Sequence, residues 1–186
     1  MNIYFLLVSI FSVSEVLLLV LKRSKNASSK SQADRRSLLL FWITIPVCFV
    51  LGDYISDNRL GWPIDAILFR QTGIAIFIIG YIIRWTAIYQ LGKMFTVDVA
   101  IVGDHRLKND GLYNVVRHPS YLGLMLIIVG VSMFMSNALS CMVVVIPIFM
   151  VTNYRIAVEE KALIAEFGNE YEVYKKRVKK IIPGIY

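Results

Sequence analysis

The stretch YLGLMLIIVGVSMFMSNALSCMVVVIPIFMVTN, residues 121–153, decides the fold because it is apolar almost throughout and too long for one membrane crossing. As a single helix rising about 1.5 Å per residue, it would be about 50 Å long. The hydrocarbon core of a bilayer is only about 30 Å thick. Ser136 and Asn137 lie near the middle, where small polar residues suit a turn. We therefore predict a hairpin of two membrane helices that turns at these residues.

Three more apolar runs lie upstream of the hairpin, at residues 3–21, 38–54 and 66–91. The first is interrupted only by Glu15, and the third carries Arg84 near its end. Because a spanning helix needs roughly 20 mostly apolar residues, each run can cross a bilayer once. The sequence therefore predicts an all-α integral membrane protein with five transmembrane helices, of which the last two form the hairpin.

The composition excludes an ordinary soluble domain, since 57% of the 186 residues are hydrophobic and the mean hydropathy is +0.62. The net charge is +7, but the basic residues lie at helix borders. This placement suits loops that face anionic lipid better than it suits nucleic-acid binding. Cys48 and Cys141 both lie inside predicted membrane helices, so we predict neither a disulfide framework nor a metal site.

The charges of the linkers predict the orientation of the chain. Residues 22–36 hold six basic residues against the single Asp34, which is typical of a cytoplasmic loop. Residues 53–65 hold three aspartates against one arginine, which is typical of the opposite side. Five crossings then leave the N-terminus outside and a C-terminal helical extension in the cytosol. We expect one membrane domain, with three helices in residues 1–92 and the functional portion in residues 93–186, in a cell membrane or the endoplasmic reticulum.

A polar segment, residues 93–118, precedes the hairpin and contains the turn signal Asn109-Asp110-Gly111. Pro119 then follows at a position that suits the first turn of a helix. The free backbone N–H groups at that helix start carry partial positive charge and suit an anionic group such as a carboxylate. We therefore expect a polar site at this boundary.

The last apolar run continues past the membrane as TNYRIAVEEKALIAEFGNEYEVYKKRV, residues 152–178. Arg155 and Glu159 are one helical turn apart and share a face, whereas Glu160 points away and is predicted to be a solvated charge. Gly168 is predicted to end or bend the helix before a short amphipathic segment. A carboxylate near the membrane surface is costly when it is desolvated, and a bound cation would relieve that cost.

Two blocks of sequence carry a resemblance to a known family. The first block is His105-x-Leu107, Gly111-x-Tyr113 and Arg117-His118-Pro119-Ser120-Tyr121-x-Gly123. The second block is Arg155-x-x-x-Glu159-Glu160-x-x-Leu163-x-x-x-Phe167-Gly168-x-x-Tyr171. Together they span roughly residues 80–186 and resemble the isoprenylcysteine carboxyl methyltransferase family. The related phospholipid N-methyltransferases share much of this pattern.

The resemblance implies a membrane enzyme that uses S-adenosylmethionine, held between the segment before the fourth helix and the extension after the fifth. The residues that match the family's cofactor contacts are His105, Arg106, Leu107, Lys108, Tyr113, His118, Pro119, Ser120, Tyr121 and Glu159. Arg155 matches the family's substrate-binding arginine. The implied substrate is a prenylated cysteine or another lipophilic acceptor, with no partner protein. Asp98 stands where eukaryotic members carry a glutamine, which leaves its contact with the cofactor open.

Carboxyl methylation needs alignment more than it needs a base. A C-terminal carboxylate is already ionised near neutral pH, because its reference pKa is about 3.5. An arginine that binds both carboxylate oxygens can hold one of them in line with the methyl–sulfur bond while water is excluded. We predict Arg155 for this catalytic role, with Arg84 as the second candidate.

Other interpretations of the same residues remain open. Arg84 can extend to the membrane surface, as basic residues near helix ends do, and Arg155 and Glu159 can form a simple intrahelical pair. Tyr113 and Tyr121 also suit aromatic anchors at the membrane border.

Two rival activities also remain open. An amine N-methyltransferase would need a general base, for which His118 and Glu160 are candidates. A membrane reductase would bind NADPH, and the absence of a GxGxxG fingerprint does not exclude one.

Overall fold

The computed structural model describes residues 3–22, 32–64, 66–97 and 107–186. Within these ranges the chain is helical and forms no strand, which confirms the predicted helical class. The α-helices are α1 (Ile3–Leu21), α2 (Gln32–Asp57), α3 (Ala66–Leu91), α4 (Pro119–Ser132), α5 (Ala138–Phe167) and α6 (Asn169–Arg177). Short 3₁₀ turns lie at Gly92–Met94, Gly111–Asn114 and Met133–Met135.

Four helices in the described ranges are long and apolar enough to cross a membrane, namely α1, α2, α3 and α5. The chain is therefore a multi-pass membrane protein. The segment Pro119–Met135, which is α4 with its following turn, is apolar but shorter than these four. The fifth crossing thus stays a prediction.

The boundaries of α1 and α3 match the predicted runs, whereas α2 is longer than predicted. It begins at Gln32 and ends at Asp57, beyond the predicted residues 38–54 at both ends. The polar residues at its start contain no helix breaker, and Asp34 in the first turn suits the positive end of the helix dipole. Hydropathy locates the apolar part of such a helix and misses its polar ends.

The predicted hairpin turn is confirmed at Ser136 and Asn137. Ser136 adopts the left-handed conformation with φ of 50°. The Asn137 side chain accepts hydrogen bonds from the backbone N–H groups of Leu139 (3.0 Å) and Ser140 (3.2 Å), and so caps the start of α5. The same side chain donates to the carbonyl of Leu60 at 2.6 Å, which attaches the turn to the loop after α2.

Helices α3 and α4 pack closely through facing glycines, a common arrangement in membrane helix pairs. A methyl group added at Gly123 of α4 would lie 2.7 Å from the carbonyl oxygen of Gly80 and 2.5 Å from the backbone nitrogen of Arg84. Both atoms belong to the backbone of α3 and cannot move without shifting the helix. This contact brings Arg84 beside the first turn of α4.

Replacing Gly123 with alanine is expected to destabilise the protein by about 1–3 kcal/mol, the usual range for overpacking. The thermal unfolding midpoint of the purified protein in detergent would show the loss. Ile82→Ala is a suitable control on α3, since Ile82 is exposed. An unchanged midpoint in Gly123→Ala would contradict the close approach of the two helices.

The C-terminal residues fold back against the segment before α4. Gly168, with φ of 52°, separates α5 from α6, as predicted. The side chains of Tyr171, Tyr174 and Val178 are buried in a cluster with Leu107, Leu163, Ile164 and Phe167. The backbone N–H groups of Arg117 and His118 donate to the carbonyls of Lys179 (2.8 Å) and Lys180 (3.0 Å). The two sequence blocks therefore meet in one place.

Candidate active site

An open cavity is lined by residues of all six α-helices and of the 3₁₀ turns Gly92–Met94 and Gly111–Asn114. Its empty space is about 1240 Å³ with the open solvent at its mouth included. The predicted site residues that line it are Arg84, Leu107, Lys108, Tyr113, His118, Ser120, Tyr121, Arg155 and Glu159. Pro119 is buried at the first position of α4 and is not a lining residue. His105 and Arg106, together with Asp98, lie outside the described residues.

The walls of the cavity are partly apolar. One part comes from α2, with Leu38, Phe41 and Trp42, and from the 3₁₀ turn after α3 and the residue that follows it, with Met94 and Phe95. Another part comes from α5 and α6, with Leu163, Phe167, Tyr171 and Tyr174. Apolar walls with a few convergent polar groups are typical of sites for small ligands.

Arg84 is held inside the bundle by Glu15 of α1. Its Nε and Nη2 atoms donate to the two carboxylate oxygens of Glu15 at 2.8 and 2.7 Å. Its Nη1 atom donates to the carbonyl and hydroxyl of Ser120 at 3.1 and 3.3 Å. Both charged residues are buried, with 7% and 4% of their surface exposed. The interpretation of Arg84 as a side chain that extends to the membrane surface is therefore wrong.

Glu15 itself lines the cavity, although the sequence assigned it no role. A lone acidic residue in an apolar helix was the available signal, because such residues are usually paired and functional. Its partner was not identifiable from spacing, since Arg84 is 69 residues away.

Arg155 pairs with Asp34 of α2 and not with Glu159. Its Nη1 atom donates to Asp34 Oδ1 at 3.0 Å and to the Ser37 hydroxyl at 2.9 Å. Its Nη2 atom donates to the carbonyl of Val97. Asp34 is 1% exposed, although the sequence placed it in a solvated linker. The simple intrahelical pair of Arg155 with Glu159 is thus not the observed arrangement.

The prediction that Glu160 is a solvated charge is wrong. Glu160 is 7% exposed, and its Oε1 atom accepts from Arg117 Nε (2.9 Å) and Nη2 (2.8 Å). The same oxygen lies 3.1 Å from His118 Nε2. Glu160 lies about 100° further round α5 than Glu159, on a face that the segment before α4 covers. The sequence pattern could not show that coverage.

Glu159 has the most available carboxylate of the cavity. Its side chain is 31% exposed, His118 Nδ1 lies 4.0 Å away, and Tyr121 lies close enough to interact with it electrostatically. Each lining arginine, by contrast, has an internal carboxylate partner. Within the described ranges, no arginine or lysine forms a salt bridge with Glu159. The polar end of the cavity therefore favours a cationic ligand.

Two buried tyrosines complete the wall beside α6. Burial raises the pKa of Tyr174 to about 12 and also raises that of Tyr113, so both hydroxyls stay protonated at neutral pH. Tyr174 donates to the carbonyl of Tyr113, and Tyr113 donates to the carbonyl of Ala87 at 3.3 Å. These bonds join α6, the 3₁₀ turn and α3 around the cavity.

A family model described as the isoprenylcysteine carboxyl methyltransferase (ICMT) family matches residues 73–165. The protein-S-isoprenylcysteine O-methyltransferase of Schizosaccharomyces pombe is 33% identical over 120 residues, which are 63% of this chain and 51% of that protein. The probable protein-S-isoprenylcysteine O-methyltransferase of Oryza sativa subsp. japonica is 33% identical over 162 residues, which are 81% of this chain and 84% of that protein. The chain thus spans about half the length of the fission yeast relative.

A solved structure shows the same fold. The eukaryotic intramembrane Ras methyltransferase ICMT superposes with a TM-score of 0.69 at 26% identity. The match covers 98% of this chain and 65% of that one.

Proposed function

The chain belongs to the isoprenylcysteine carboxyl methyltransferase family, and on that premise we propose that it transfers a methyl group from S-adenosylmethionine to the carboxylate of a prenylated cysteine or a similar lipophilic acceptor. The observation that carries this proposal is that described residues of both sequence blocks line one cavity. There the carboxylate of Glu159 and the guanidinium of Arg155 line one space, and apolar walls adjoin them.

The cavity fits the proposed cofactor by its charge and its lining. S-adenosylmethionine supplies an electrophilic methyl group on a positively charged sulfur. Glu159 offers that cation a carboxylate that forms no salt bridge with an arginine or lysine in the described part of the chain, and His118 Nδ1 and Tyr121 lie beside it. Tyr113, Leu107 and the α6 tyrosines supply apolar and aromatic surface. We propose that these residues hold the cofactor, together with His105, Arg106, Lys108 and Ser120, and that Pro119 contributes indirectly by starting α4.

The two candidate arginines differ in which side of the guanidinium group remains available to bind a substrate carboxylate. Arg84 uses its Nε–Nη2 edge on Glu15, so this edge is already filled by a carboxylate. Arg155 binds Asp34 through Nη1 and donates one Nη2 hydrogen to the Val97 carbonyl, which leaves its Nε without a partner among the described residues. The Nε–Nη2 edge is the one that binds a carboxylate side-on with two hydrogen bonds. We therefore propose Arg155 as the residue that aligns the substrate carboxylate, and a supporting role for Arg84.

An amine acceptor fits this site less well. Its ammonium must lose a proton, which requires a free base near the reacting nitrogen. Glu160 is not free, because its Oε1 atom already accepts from Arg117 and lies against His118. His118 in turn has one ring nitrogen committed to Glu160. A carboxylate acceptor needs no such base.

We also propose that the chain crosses the membrane five times, with α4 as the short fourth crossing. The N-terminus then lies outside and the C-terminal extension lies in the cytosol. The basic residues Arg35 and Arg36 at the start of α2 support this orientation. The substrate lipid would reach the cavity from the bilayer and the cofactor from water.

A methyl-transfer assay tests the proposed function directly. The protein, reconstituted in lipid nanodiscs, would receive S-adenosylmethionine with a radiolabelled methyl group and either N-acetyl-S-farnesylcysteine or phosphatidylethanolamine. We expect label on the farnesylcysteine in a form that mild base releases as methanol, because esters are base-labile and N-methyl amines are not. Label on the phospholipid alone, or binding of NADPH without binding of S-adenosylmethionine, would overturn the proposal.

Replacing Glu159 with glutamine is expected to weaken binding of S-adenosylmethionine by about ten- to hundredfold, the usual loss for a charge-assisted contact. The neutral product S-adenosylhomocysteine should lose less affinity, since it carries no charge on sulfur. Equilibrium binding to the purified protein would measure both ligands. Glu166→Gln is the matched control, because Glu166 lies exposed on the same helix. Equal losses for both ligands would contradict a charge-based role for Glu159.

A further inference from the structure

We propose that Asp34 is a positioning residue that fixes Arg155 and offsets its positive charge, so that the arginine orients a substrate carboxylate without over-stabilising it. This inference rests on the proposed carboxyl methylation and adds to it a residue of α2, outside both sequence blocks. Asp34 would act through Arg155 and would not touch the reacting atoms.

The geometry fixes one end of the Arg155 guanidinium. Asp34 Oδ1 and the Ser37 hydroxyl accept from Nη1 at 3.0 and 2.9 Å, which uses both hydrogens of that nitrogen. The Ser37 hydroxyl donates in turn to the backbone carbonyl of Asp34 at 2.9 Å, which fixes this acceptor to the first turns of α2. The Nη1 end of the guanidinium is therefore held by α2, and Nη2 donates to the Val97 carbonyl.

The other two arginines among the described lining residues bind their glutamates through the opposite end of the guanidinium group. Arg84 and Arg117 each place their Nε and Nη2 atoms on a glutamate, which fills the side that binds carboxylates best. Asp34 instead binds Arg155 through Nη1. Arg155 thus gains a neutralising partner and keeps its Nε free of the described residues. Asp34 does both because it binds at the Nη1 end.

The chemistry explains why the charge should be offset. The substrate carboxylate oxygen forms the new bond to the methyl group while the methyl–sulfur bond breaks and leaves its electron pair on sulfur. A negative and a positive charge disappear together, and no proton moves. A strong lone cation at the carboxylate would therefore stabilise the substrate more than the transition state, which lowers the rate of the chemical step. Asp34 reduces that effect while the hydrogen bonds of Arg155 still align the oxygen.

The first test compares binding of N-acetyl-S-farnesylcysteine with binding of its neutral carboxamide, without any methyl donor. In the wild-type protein we expect the carboxylate to be preferred by at most about tenfold, because Asp34 already offsets Arg155. In Asp34→Asn, which keeps the size of the side chain, we expect this preference to rise by about tenfold or more. Ser37→Ala, which removes the neutral acceptor on the same nitrogen, should leave the preference unchanged.

Two further measurements distinguish a positioning role of Asp34 from an effect of Asp34 on protein stability alone. In turnover, Asp34→Asn should lower both KM for the carboxylate substrate and kcat, whereas a damaged fold would raise KM. In thermal unfolding, the carboxylate ligand should raise the midpoint of Asp34→Asn more than that of the wild type, because the ligand replaces the missing negative charge.

Three outcomes would overturn the inference: a wild-type preference above about a hundredfold, an unchanged preference in Asp34→Asn, or a raised KM in that variant. The comparison of carboxylate and carboxamide binding to the wild-type protein tests the inference even if Asp34→Asn does not fold. If the wild type forms the farnesylcysteine ester but shows one of these outcomes, only the role of Asp34 fails. If it forms no ester, the proposed function fails, and Asp34 has no substrate carboxylate to orient.

Discussion

Arg155→Ala is expected to lower methyl transfer to a farnesylcysteine acceptor by about 10²-fold or more, because a misaligned reacting group alone can have an effect of this size. Binding of S-adenosylmethionine should be largely retained, since Glu159 and the residues around His118 stay in place. Arg155→Lys should restore little activity, because a lysine cannot offer two parallel N–H groups to a carboxylate. Initial rates and cofactor binding on the same preparations would measure the two effects separately.

The controls for Arg155 address both charge and stability. Lys161→Ala removes a positive charge from an exposed position of the same helix and should leave activity unchanged. Arg155→Ala also leaves Asp34 as a buried carboxylate without this partner, which can destabilise the fold. The double variant Arg155→Ala/Asp34→Asn removes that carboxylate. If the double variant regains both stability and full activity, Arg155 does not align the substrate.

Arg84→Ala is expected to reduce the free energy of unfolding by about 3–5 kcal/mol, because it leaves Glu15 as an uncompensated charge in a buried site. The double variant Glu15→Leu/Arg84→Met should recover most of this loss, since apolar replacements of a buried ion pair are often neutral or stabilising. Denaturation of this double variant and of its single variants Glu15→Leu and Arg84→Met in the same detergent would give the coupling between the two residues.

An exposed arginine on the same helix provides the control for Arg84. Arg70 lies on α3 and donates to the Ser136 hydroxyl at 3.1 Å on the surface. Its replacement by alanine should change the stability by less than about 1 kcal/mol. A double variant at Glu15 and Arg84 that is no more stable than Arg84→Ala would show that the ion pair is not the cause.

The sequence predicted those features that depend on local apolar runs and turn chemistry. The bounds of α1 and α3 follow from uninterrupted hydrophobic stretches, and the hairpin turn follows from Ser136 and Asn137. The start of α2 was missed because its first residues are polar and hydropathy does not register them. The cavity residues were assigned through the family resemblance, and spacing alone would not have brought Leu107 and Tyr174 together.

The partners of the buried charges could not be predicted. Glu15, Asp34 and Glu160 bind arginines that are 69, 121 and 43 residues away in the chain. Rules for helix neighbours cover only residues three or four positions apart. They therefore left a pair of Arg155 with Glu159 open as an alternative and placed Glu160 in solvent. A buried acidic residue in a membrane helix is a sign that a distant basic partner exists, but only the packing of the helices identifies it.

The attachment of the C-terminal residues to the segment before α4 affects when the site can form during translation. Arg117 donates to the carbonyls of Lys175 and Val178, and the latter lies 61 residues further along the chain. The ribosome must therefore synthesise the whole hairpin and α6 before His118 acquires its final surroundings. We expect a nascent chain that already contains α1, α2, α3 and α5 to lack the complete cavity until these last residues emerge.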